Sequence, residues 1–236
     1  MEIELWNGSA KAIIDPRGAW MTNLSDDRGD VLFPKRKLNT IEGEAKVRGG
    51  SHVCLPNFGP GGDSGQSQHG FGRLMDWDIA EQTANHVVLS LEKGGQGYEK
   101  LQSTLTYDLG NASITMELEV KNTGDSDLRV APAFHPYFAV LGGEEVKING
   151  DVQPLEDLAD TLFVTGDSQA LELPLRKITL SSWQLPVWAQ WTDQLGTYVC
   201  VEPTVGGYTF LEDAPSEAEL LGPAQTRKYA LTITWE

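Results

Sequence analysis

The segment QSQHGFGR, residues Gln66–Arg73, places an imidazole and a guanidinium four residues apart. A histidine can transfer protons near neutral pH, and an arginine can bind a phosphate or carboxylate through two parallel hydrogen bonds. Small, flexible glycines separate His69 from Arg73, and the glycine-rich run NFGPGGDSG precedes them. That run matches neither of the glycine patterns of nucleotide-binding loops. On local sequence alone, a plain turn that carries both residues is the simpler interpretation.

The other three histidines occur in different sequence contexts. His52 lies among glycines and could line a pocket, although a packed loop residue is the simpler interpretation. His86 begins an apolar segment and is predicted to be structural or exposed. His135 lies between aromatic residues in APAFHPYFAV, and the following Pro136 favours an extended backbone there. A satisfied core histidine and a functional one are both open interpretations of His135.

Glu202 is a candidate general base. In TYVCVEPTVGG, alternation places Tyr198, Cys200 and Glu202 on one face of a predicted strand, which Pro203 ends. A carboxylate partly withdrawn from water has a raised pKa and can accept a proton near neutral pH. The alternative is an exposed glutamate at a strand end that is held by a nearby lysine or arginine.

Alternation with period two predicts the strands that must position these groups. NASITMELEVKN alternates apolar and polar residues, and with the preceding LQSTLTYDLGN it predicts a hairpin that turns at Leu109–Asn111. The segment APSEAELLGP predicts the one short helix, with Ser216 and Glu219 as a capping box. Further strands are predicted in HVVLSLEK, TYVCVEP, GDVLFP and YALTITWE. The sequence therefore predicts an all-β fold, a large sandwich of antiparallel sheets, in one domain spanning residues 1–236.

The charge balance limits the classes of partner. A formal net charge of −16 argues against nucleic acid and against an anionic membrane surface, because either would repel the protein. A few arginines can still attract a small anionic molecule. The chain has no long apolar segment and no signal-peptide pattern, so we expect a cytoplasmic protein. Cys54 and Cys200 are predicted to be reduced thiols, and no clustered spacing of metal ligands indicates a metal.

Five segments, taken in order, resemble one family. RGGSHVCLPNFG, QHGFGRLMDW, FHPYF, VWAQW and CVEP, which extend from about Arg48 to Pro203, resemble the galactose mutarotase-like superfamily that contains the aldose 1-epimerases. The branch that they resemble most is the glucose-6-phosphate 1-epimerases, or hexose-6-phosphate mutarotases. The resemblance implies a β-supersandwich of antiparallel sheets with a sugar bound in a cleft on one concave face, without a metal or redox cofactor.

The resemblance also implies a role for each candidate residue. Glu202 matches the general base that removes the proton from the anomeric hydroxyl, and His135 matches the general acid that protonates the ring oxygen. His69 matches a histidine that hydrogen-bonds the substrate near the reacting carbon. Arg48 and Arg73 match arginines that hold the phosphate of a sugar phosphate.

Asp160 falls where family members carry an aspartate that binds a sugar hydroxyl, but Thr161 replaces the basic residue that commonly follows it. The segment Trp188–Trp191 likewise replaces the Trp-Asn-Pro-Trp pattern of the family. The predicted function is interconversion of the α and β anomers of a hexose 6-phosphate. A 1-epimerase of neutral aldoses and a non-catalytic sugar-binding protein on the same fold are the alternatives. Candidate surfaces for stacking on the sugar are Trp77, Trp188, Trp191 and Tyr137.

Overall fold

Antiparallel strands dominate the computed structural model, which describes residues 1–142 and 145–236. The first large sheet comprises β1 (Ile3–Asn7), β2 (Ala10–Asp15), β3 (Trp20–Asp26), β4 (Gly29–Asp30), β7 (Ser51–Cys54), β13 (Ala133–Ala139), β16 (Leu162–Thr165), β19 (Val187–Trp191) and β20 (Tyr198–Thr204). The second comprises β8 (Asp78–Gln82), β9 (His86–Leu91), β10 (Leu101–Leu109), β11 (Ser113–Asn122), β14 (Glu145–Ile148), β15 (Asp151–Pro154), β17 (Ser168–Leu173), β18 (Arg176–Trp183) and β22 (Thr226–Trp235). Two small sheets pair β5 (Arg36–Asn39) with β6 (Ala45–Arg48) and β12 (Leu128–Arg129) with β21 (Leu220–Leu221). The predicted all-β architecture is confirmed.

Within residues 1–142 and 145–236 the helical content is limited to single turns of 3-10 helix, at Gly62–Ser64, Gly72–Leu74, Leu155–Leu158, Thr209–Leu211 and Glu217–Glu219. The predicted capping box is present, since the Glu219 carboxylate accepts hydrogen bonds from the Ser216 backbone N–H at 3.0 Å and its hydroxyl at 2.8 Å. The predicted helix ends after this one turn because the next residues, in β21, pair with β12 instead. Among the described residues, no helix has the length and apolar composition needed to cross a membrane.

The second sheet follows the predicted alternation closely. β10 and β11 form the predicted hairpin, with Leu105 directly opposite Leu118, and β11 pairs on its other edge with β22. The inward residues of these strands are buried, and the outward ones are polar. On the outward face Lys228 contacts Glu117 at 2.8 Å. One face of this sheet therefore packs in the core while the other meets water.

The first sheet alternates in the same way, but both of its faces are buried along the central strands. In β13, Phe134 and Phe138 point toward the second sheet; in β20, Val199 and Val201 do the same. The intervening residues occupy the opposite, outward face, which confirms the predicted facing of β20. That face carries His135, Tyr137, Cys200 and Glu202.

The core lies between the two sheets and draws apolar side chains from both. The Tyr107 hydroxyl of β10 donates a hydrogen bond of 2.6 Å to the Ala19 carbonyl beside β3, and so satisfies a buried polar group within this layer. Each fully buried aliphatic or aromatic side chain contributes about 1.5–3 kcal/mol of transfer free energy. This shared core supports the proposal that residues 1–236 form one domain.

Loops cover the outward face of the first sheet. Two backbone hydrogen bonds hold the segment that follows β7 against Ala131. The Phe58 N–H donates to the Ala131 carbonyl at 3.1 Å, and the Ala131 N–H donates to the Pro56 carbonyl at 2.7 Å. The guanidinium of Arg129 donates to the Thr209 carbonyl at 2.6 Å and fastens a second loop. All seven residues of β13 and all seven of β20 are consequently buried. Polar side chains on this face lie in a dry environment.

Candidate active site

A cavity of about 530 Å³ opens on the covered face of the first sheet. Five of the six site residues predicted from the sequence line it, namely Arg48, His69, Arg73, His135 and Glu202. A larger cavity of about 750 Å³ lies beside Trp183, and no histidine or cysteine lines it among the described residues. Of these two cavities, the smaller one is therefore the one that brings histidines together with a buried glutamate.

His135 and Glu202 form a close pair at the base of this cavity. They project from the adjacent strands β13 and β20, with the His135 Nδ1 atom 3.3 Å from Glu202 Oε2. Both side chains are nearly inaccessible to water, and neither of these two atoms has a hydrogen-bond partner in the part of the chain that the structure describes. Burial raises the pKa of Glu202 well above its ordinary value and lowers the pKa of His135 well below its own. The pair can exchange protons with a substrate.

His69 is held at the cavity wall by an unusual backbone. Its φ of 63° lies in the left-handed region, as does that of Gly70 at 67°. A Cβ on Gly70 would lie 2.1 Å from the Leu55 carbonyl oxygen, so only glycine fits there. The Gly59 N–H donates to His69 Nδ1 at 3.2 Å, which places the ring hydrogen on Nε2, 3.4 Å from the Gln68 side-chain amide. Burial, with smaller contributions from the nearby arginines, lowers the pKa of His69 to about 3.

His52 also belongs to this histidine cluster, although its sequence context favours a packed loop residue. It lies in β7 directly opposite His135, with ring centroids 4.8 Å apart, and its other face contacts Trp20 at 4.3 Å. Burial lowers its pKa well below the ordinary value. Both faces of the segment Ser51–Cys54 are buried, so the sequence has no alternation there that could have placed His52 and Cys54 on one face of a strand.

The upper wall of the cavity is cationic. Arg48 donates from Nε to the Asp193 carboxylate at 2.8 Å, while Arg73 donates to the Gln68 carbonyl at 2.9 Å and has no ion pair among the described residues. Lys46 also lines the cavity, and the sequence reasoning missed it because the β5–β6 hairpin was not predicted. A second cavity of about 350 Å³ shares these three residues and adds Arg17 and Lys35. A strongly acidic protein thus concentrates cations at one place.

The aromatic candidates divide between core and cavity. Trp77 and Trp188 are buried in the core between the sheets, whereas Trp191 and Tyr137 line the cavity. The Tyr137 ring stacks on His135 at 4.6 Å with an interplanar angle of 6°. The segment Trp188–Trp191 belongs to strand β19, which pairs with β20. This strand therefore positions one wall of the site instead of forming a loop above it.

Asp160 lies apart from the other predicted site residues. Its side chain is exposed and does not line the cavity, whereas the adjacent Thr161 does. The Thr161 hydroxyl lies 2.8 Å from the Tyr208 hydroxyl, so these two residues close the side of the cavity opposite the cations. The position offers a hydroxyl to a substrate in place of a carboxylate.

Comparisons with known proteins bear on the family and on the fold. The aldose 1-epimerase family model matches residues 1–179. A Cenchrus ciliaris protein provisionally named glucose-6-phosphate 1-epimerase is 26% identical over 185 residues, which cover 70% of this chain. The chain spans little more than half of that relative, since the alignment covers 56% of it.

Two solved structures share the fold over essentially the whole chain. The galactose mutarotase-like protein from Lactobacillus casei superimposes with a TM-score of 0.82 at 18% identity, covering 100% of both chains. A protein from Synechocystis sp. PCC 6803 superimposes with a TM-score of 0.80 at 21% identity, covering 100% of this chain and 96% of its own. The galactose mutarotase-like fold implied by the sequence is confirmed. Since the family model matches well over half of the residues, the chain belongs to the aldose 1-epimerase family.

Proposed function

We propose that this protein interconverts the α and β anomers of a hexose 6-phosphate, with Glu202 as general base and His135 as general acid. The observation that carries the proposal is the buried pair of His135 Nδ1 and Glu202 Oε2, 3.3 Å apart at the base of a cavity with a cationic wall. An epimerase or mutarotase activity agrees with membership of the family, and the phosphorylated substrate is the more specific part of the proposal.

The reaction needs one base and one acid that act on two oxygens of the same carbon. In ring opening, Glu202 accepts the proton of the C1 hydroxyl while protonated His135 gives a proton to the ring oxygen. Rotation about the C1–C2 bond then presents the other face of the aldehyde. In ring closure, Glu202 returns its proton to the aldehyde oxygen while His135 takes the proton of the C5 hydroxyl. Each proton transfer contributes about 10²–10⁴-fold to the rate.

Burial affects the balance between the two protonation states of the His135–Glu202 pair. The pair carries one exchangeable proton and has no net charge, whether the proton is on His135 as part of an ion pair or on Glu202 with a neutral imidazole. Because burial raises the pKa of Glu202 and lowers that of His135, the ring-opened state with both groups neutral is favoured by the dry environment. The protein therefore accumulates no net charge in the cavity at any step.

The proposed phosphate position lies against Arg73, beside Lys46, whose ammonium is 3.6 Å from the Glu44 carboxylate. Arg73 has no carboxylate partner among the described residues, and its planar guanidinium can donate two parallel hydrogen bonds to a phosphate. Arg48 is already paired with Asp193, so it contributes charge and one wall instead of a free fork. His69, whose ring hydrogen lies on Nε2, is proposed to donate to a sugar oxygen. Trp191 is proposed to pack against the sugar ring.

The experiment compares anomer exchange of glucose 6-phosphate and glucose by NMR magnetisation transfer at equal protein concentration. We expect faster exchange of the phosphate ester. Faster exchange of glucose alone would make the protein a 1-epimerase of neutral aldoses, and no acceleration of either sugar would contradict the proposal.

A substitution at Arg73 tests the phosphate position. Arg73→Ala removes a charge-assisted contact, so we expect kcat/KM for glucose 6-phosphate to fall about 10- to 100-fold. Arg36→Ala is the matched control, because this exposed arginine lies on the same hairpin as Lys46 but lines neither cavity. Equal losses for the phosphorylated and neutral sugars would remove the phosphate role from Arg73.

A further inference from the structure

Cys200 lies beside the catalytic pair but has no part in the proposed reaction. It occupies the same outward face of β20 as Glu202, two residues earlier, and is fully buried. His135, Cys200 and Glu202 each offer one donor atom, and these three atoms lie within 4.8 Å of one another. His135 Nδ1 and Glu202 Oε2 are in addition buried atoms that have no hydrogen-bond partner among the described residues. Two such polar atoms and a thiol thus lie close together, no more than 4.8 Å apart.

The donor set matches the preferences of one ion. Zn²⁺ binds imidazole nitrogen, thiolate sulfur and carboxylate oxygen, and it takes them in tetrahedral geometry. Two ligands at about 2.0 Å from a tetrahedral ion are about 3.3 Å apart, and His135 Nδ1 and Glu202 Oε2 are separated by 3.3 Å. His135 and Glu202 line the cavity, whereas the fully buried Cys200 does not, so a fourth ligand would come from the cavity.

Charge balance favours the same ion. A thiolate and a carboxylate together carry two negative charges, and burying either one without a partner is costly. Zn²⁺ with a neutral imidazole compensates both, so the assembly is neutral overall. On binding, the thiol releases its proton and the His135–Glu202 pair releases the one that it shares, and both protons pass to solvent.

We propose that His135 Nδ1, Cys200 Sγ and Glu202 Oε2 form a Zn²⁺ site that replaces the exchangeable proton of the pair. The site and the catalytic pair use the same two atoms, so the ion and proton transfer exclude each other. Zn²⁺ at this position therefore inhibits the protein. This inhibition rests on the proposed function, whereas the binding of Zn²⁺ does not depend on it. The separation of His135 from Cys200 along the chain explains why the sequence spacing indicates no metal.

The test measures Zn²⁺ binding directly, by competition with a chromophoric chelator. We expect one ion per chain, and Cys200→Ser should weaken binding by at least about 100-fold, beyond what the loss of a supporting contact costs. Cys54→Ser is the matched control. Its thiol is also buried and lies 3.4 Å from His69 Nδ1, but that nitrogen already accepts a hydrogen bond from Gly59. We expect Cys54→Ser to leave Zn²⁺ binding unchanged.

Co²⁺ tests the ligand set without a substitution. A thiolate-to-cobalt charge-transfer band in the wild-type protein, lost on addition of Zn²⁺, is the expected result. Absence of that band, unchanged Zn²⁺ affinity in Cys200→Ser, or equal weakening in Cys54→Ser would each overturn the proposal.

Anomer exchange with and without Zn²⁺ in the same protein sample measures the inhibition. We expect Zn²⁺ to abolish exchange, and exchange that continues at saturating Zn²⁺ would overturn the proposed overlap with the catalytic pair. If the wild-type protein catalyses no exchange at all, the proposed function fails, and the chelator and Co²⁺ measurements still decide the metal site.

Discussion

The two large sheets obey the same alternation but use their outward faces differently. On the second sheet this face meets water, and its Thr115 and Thr232 hydroxyls lie 3.0 Å apart across β11 and β22. On the first sheet the corresponding face is covered by the glycine-rich segment after β7 and by the loop that carries Tyr208. His52, His135 and Glu202 are buried beneath that cover. Strands with the same alternation therefore present either a solvated surface or a site that is shielded from water.

The covering loops, and not the strand itself, give a glutamate on the first sheet its proton-transfer properties. A carboxylate on the second sheet, such as Glu117, is solvated and paired with Lys228. Among the described residues, Glu202 on the first sheet has no lysine or arginine as an ion-pair partner, and removal of water raises its pKa. A glutamate becomes a useful base near neutral pH only in the second of these environments. Four substitutions test this contrast.

The largest effect is expected from Glu202→Gln, which keeps the shape of the side chain but removes the base. Anomer exchange of the preferred sugar should slow by about 10²–10⁴-fold, measured by NMR magnetisation transfer. Glu117→Gln makes the same chemical change on the solvated face and should leave exchange unaltered. If the two variants behaved alike, the contrast between the faces would have no catalytic meaning.

Arg129→Gln is expected to loosen the cover. The Arg129 guanidinium binds the Glu219 carboxylate at 2.7 Å and the Thr209 carbonyl, next to Tyr208, at 2.6 Å. Glu219 is buried, so removing its partner should lower the free energy of unfolding by about 3 kcal/mol. Urea denaturation measures this loss, and KM should rise because the Tyr208 wall is no longer held. Arg129→Lys keeps the charge and should restore part of the stability; an unchanged KM in Arg129→Gln would show that the cover does not depend on this contact.

His52→Gln is expected to change how stability depends on pH. Burial lowers the pKa of His52 below its ordinary value of 6.5, so below that pH the unfolded chain binds more protons than the folded one. Stability therefore falls as pH falls, by about 1.4 kcal/mol per pH unit for each such histidine. The variant should show a slope shallower by that amount in urea unfolding at several pH values below 6.5. An identical slope in both proteins would mean that His52 titrates in the folded state as it does in the unfolded one.

The smallest effect is expected from Lys228→Ala on the second sheet. Lys228 contacts Glu117 at 2.8 Å and Glu119 at 3.4 Å, but all three side chains are exposed to solvent. Solvent screening limits such pairs, so the free energy of unfolding should change by at most about 0.5 kcal/mol in thermal or urea unfolding. A loss of several kcal/mol would show that the solvated face is more tightly coupled than its exposure indicates.

Local pattern was sufficient for the strands whose two faces differ in polarity. The hairpin of β10 and β11 and the facing of Glu202 in β20 follow directly from alternation, and the described residues confirm both. Alternation failed where both faces are buried or both are polar. β7, with His52, lacks a polar face, and β6, with Lys46, lacks an apolar core face, so neither was predicted.

Site residues show the same division. The ordered segments pointed to His69, His135 and Glu202, and the cavity brings these three together. For Asp160 the local similarity was weaker, and the residue that reaches the cavity wall is its neighbour Thr161. These residues follow the 3-10 turn Leu155–Leu158, and contact with Tyr208 brings Thr161 to the cavity wall in place of Asp160. Local sequence does not specify that contact.

Local sequence was enough to identify the ionisable side chains, the alternation that separates core face from outward face, and the family. The tertiary structure determines which of those side chains come into contact. His135 and Glu202 come within 3.3 Å only because β13 and β20 are neighbours in the sheet, and Cys200 joins them for the same reason. It also decided that loops remote in sequence exclude water from this pair. Proximity and desolvation are properties of packing between distant segments, and they set the pKa shifts from which we infer the chemistry.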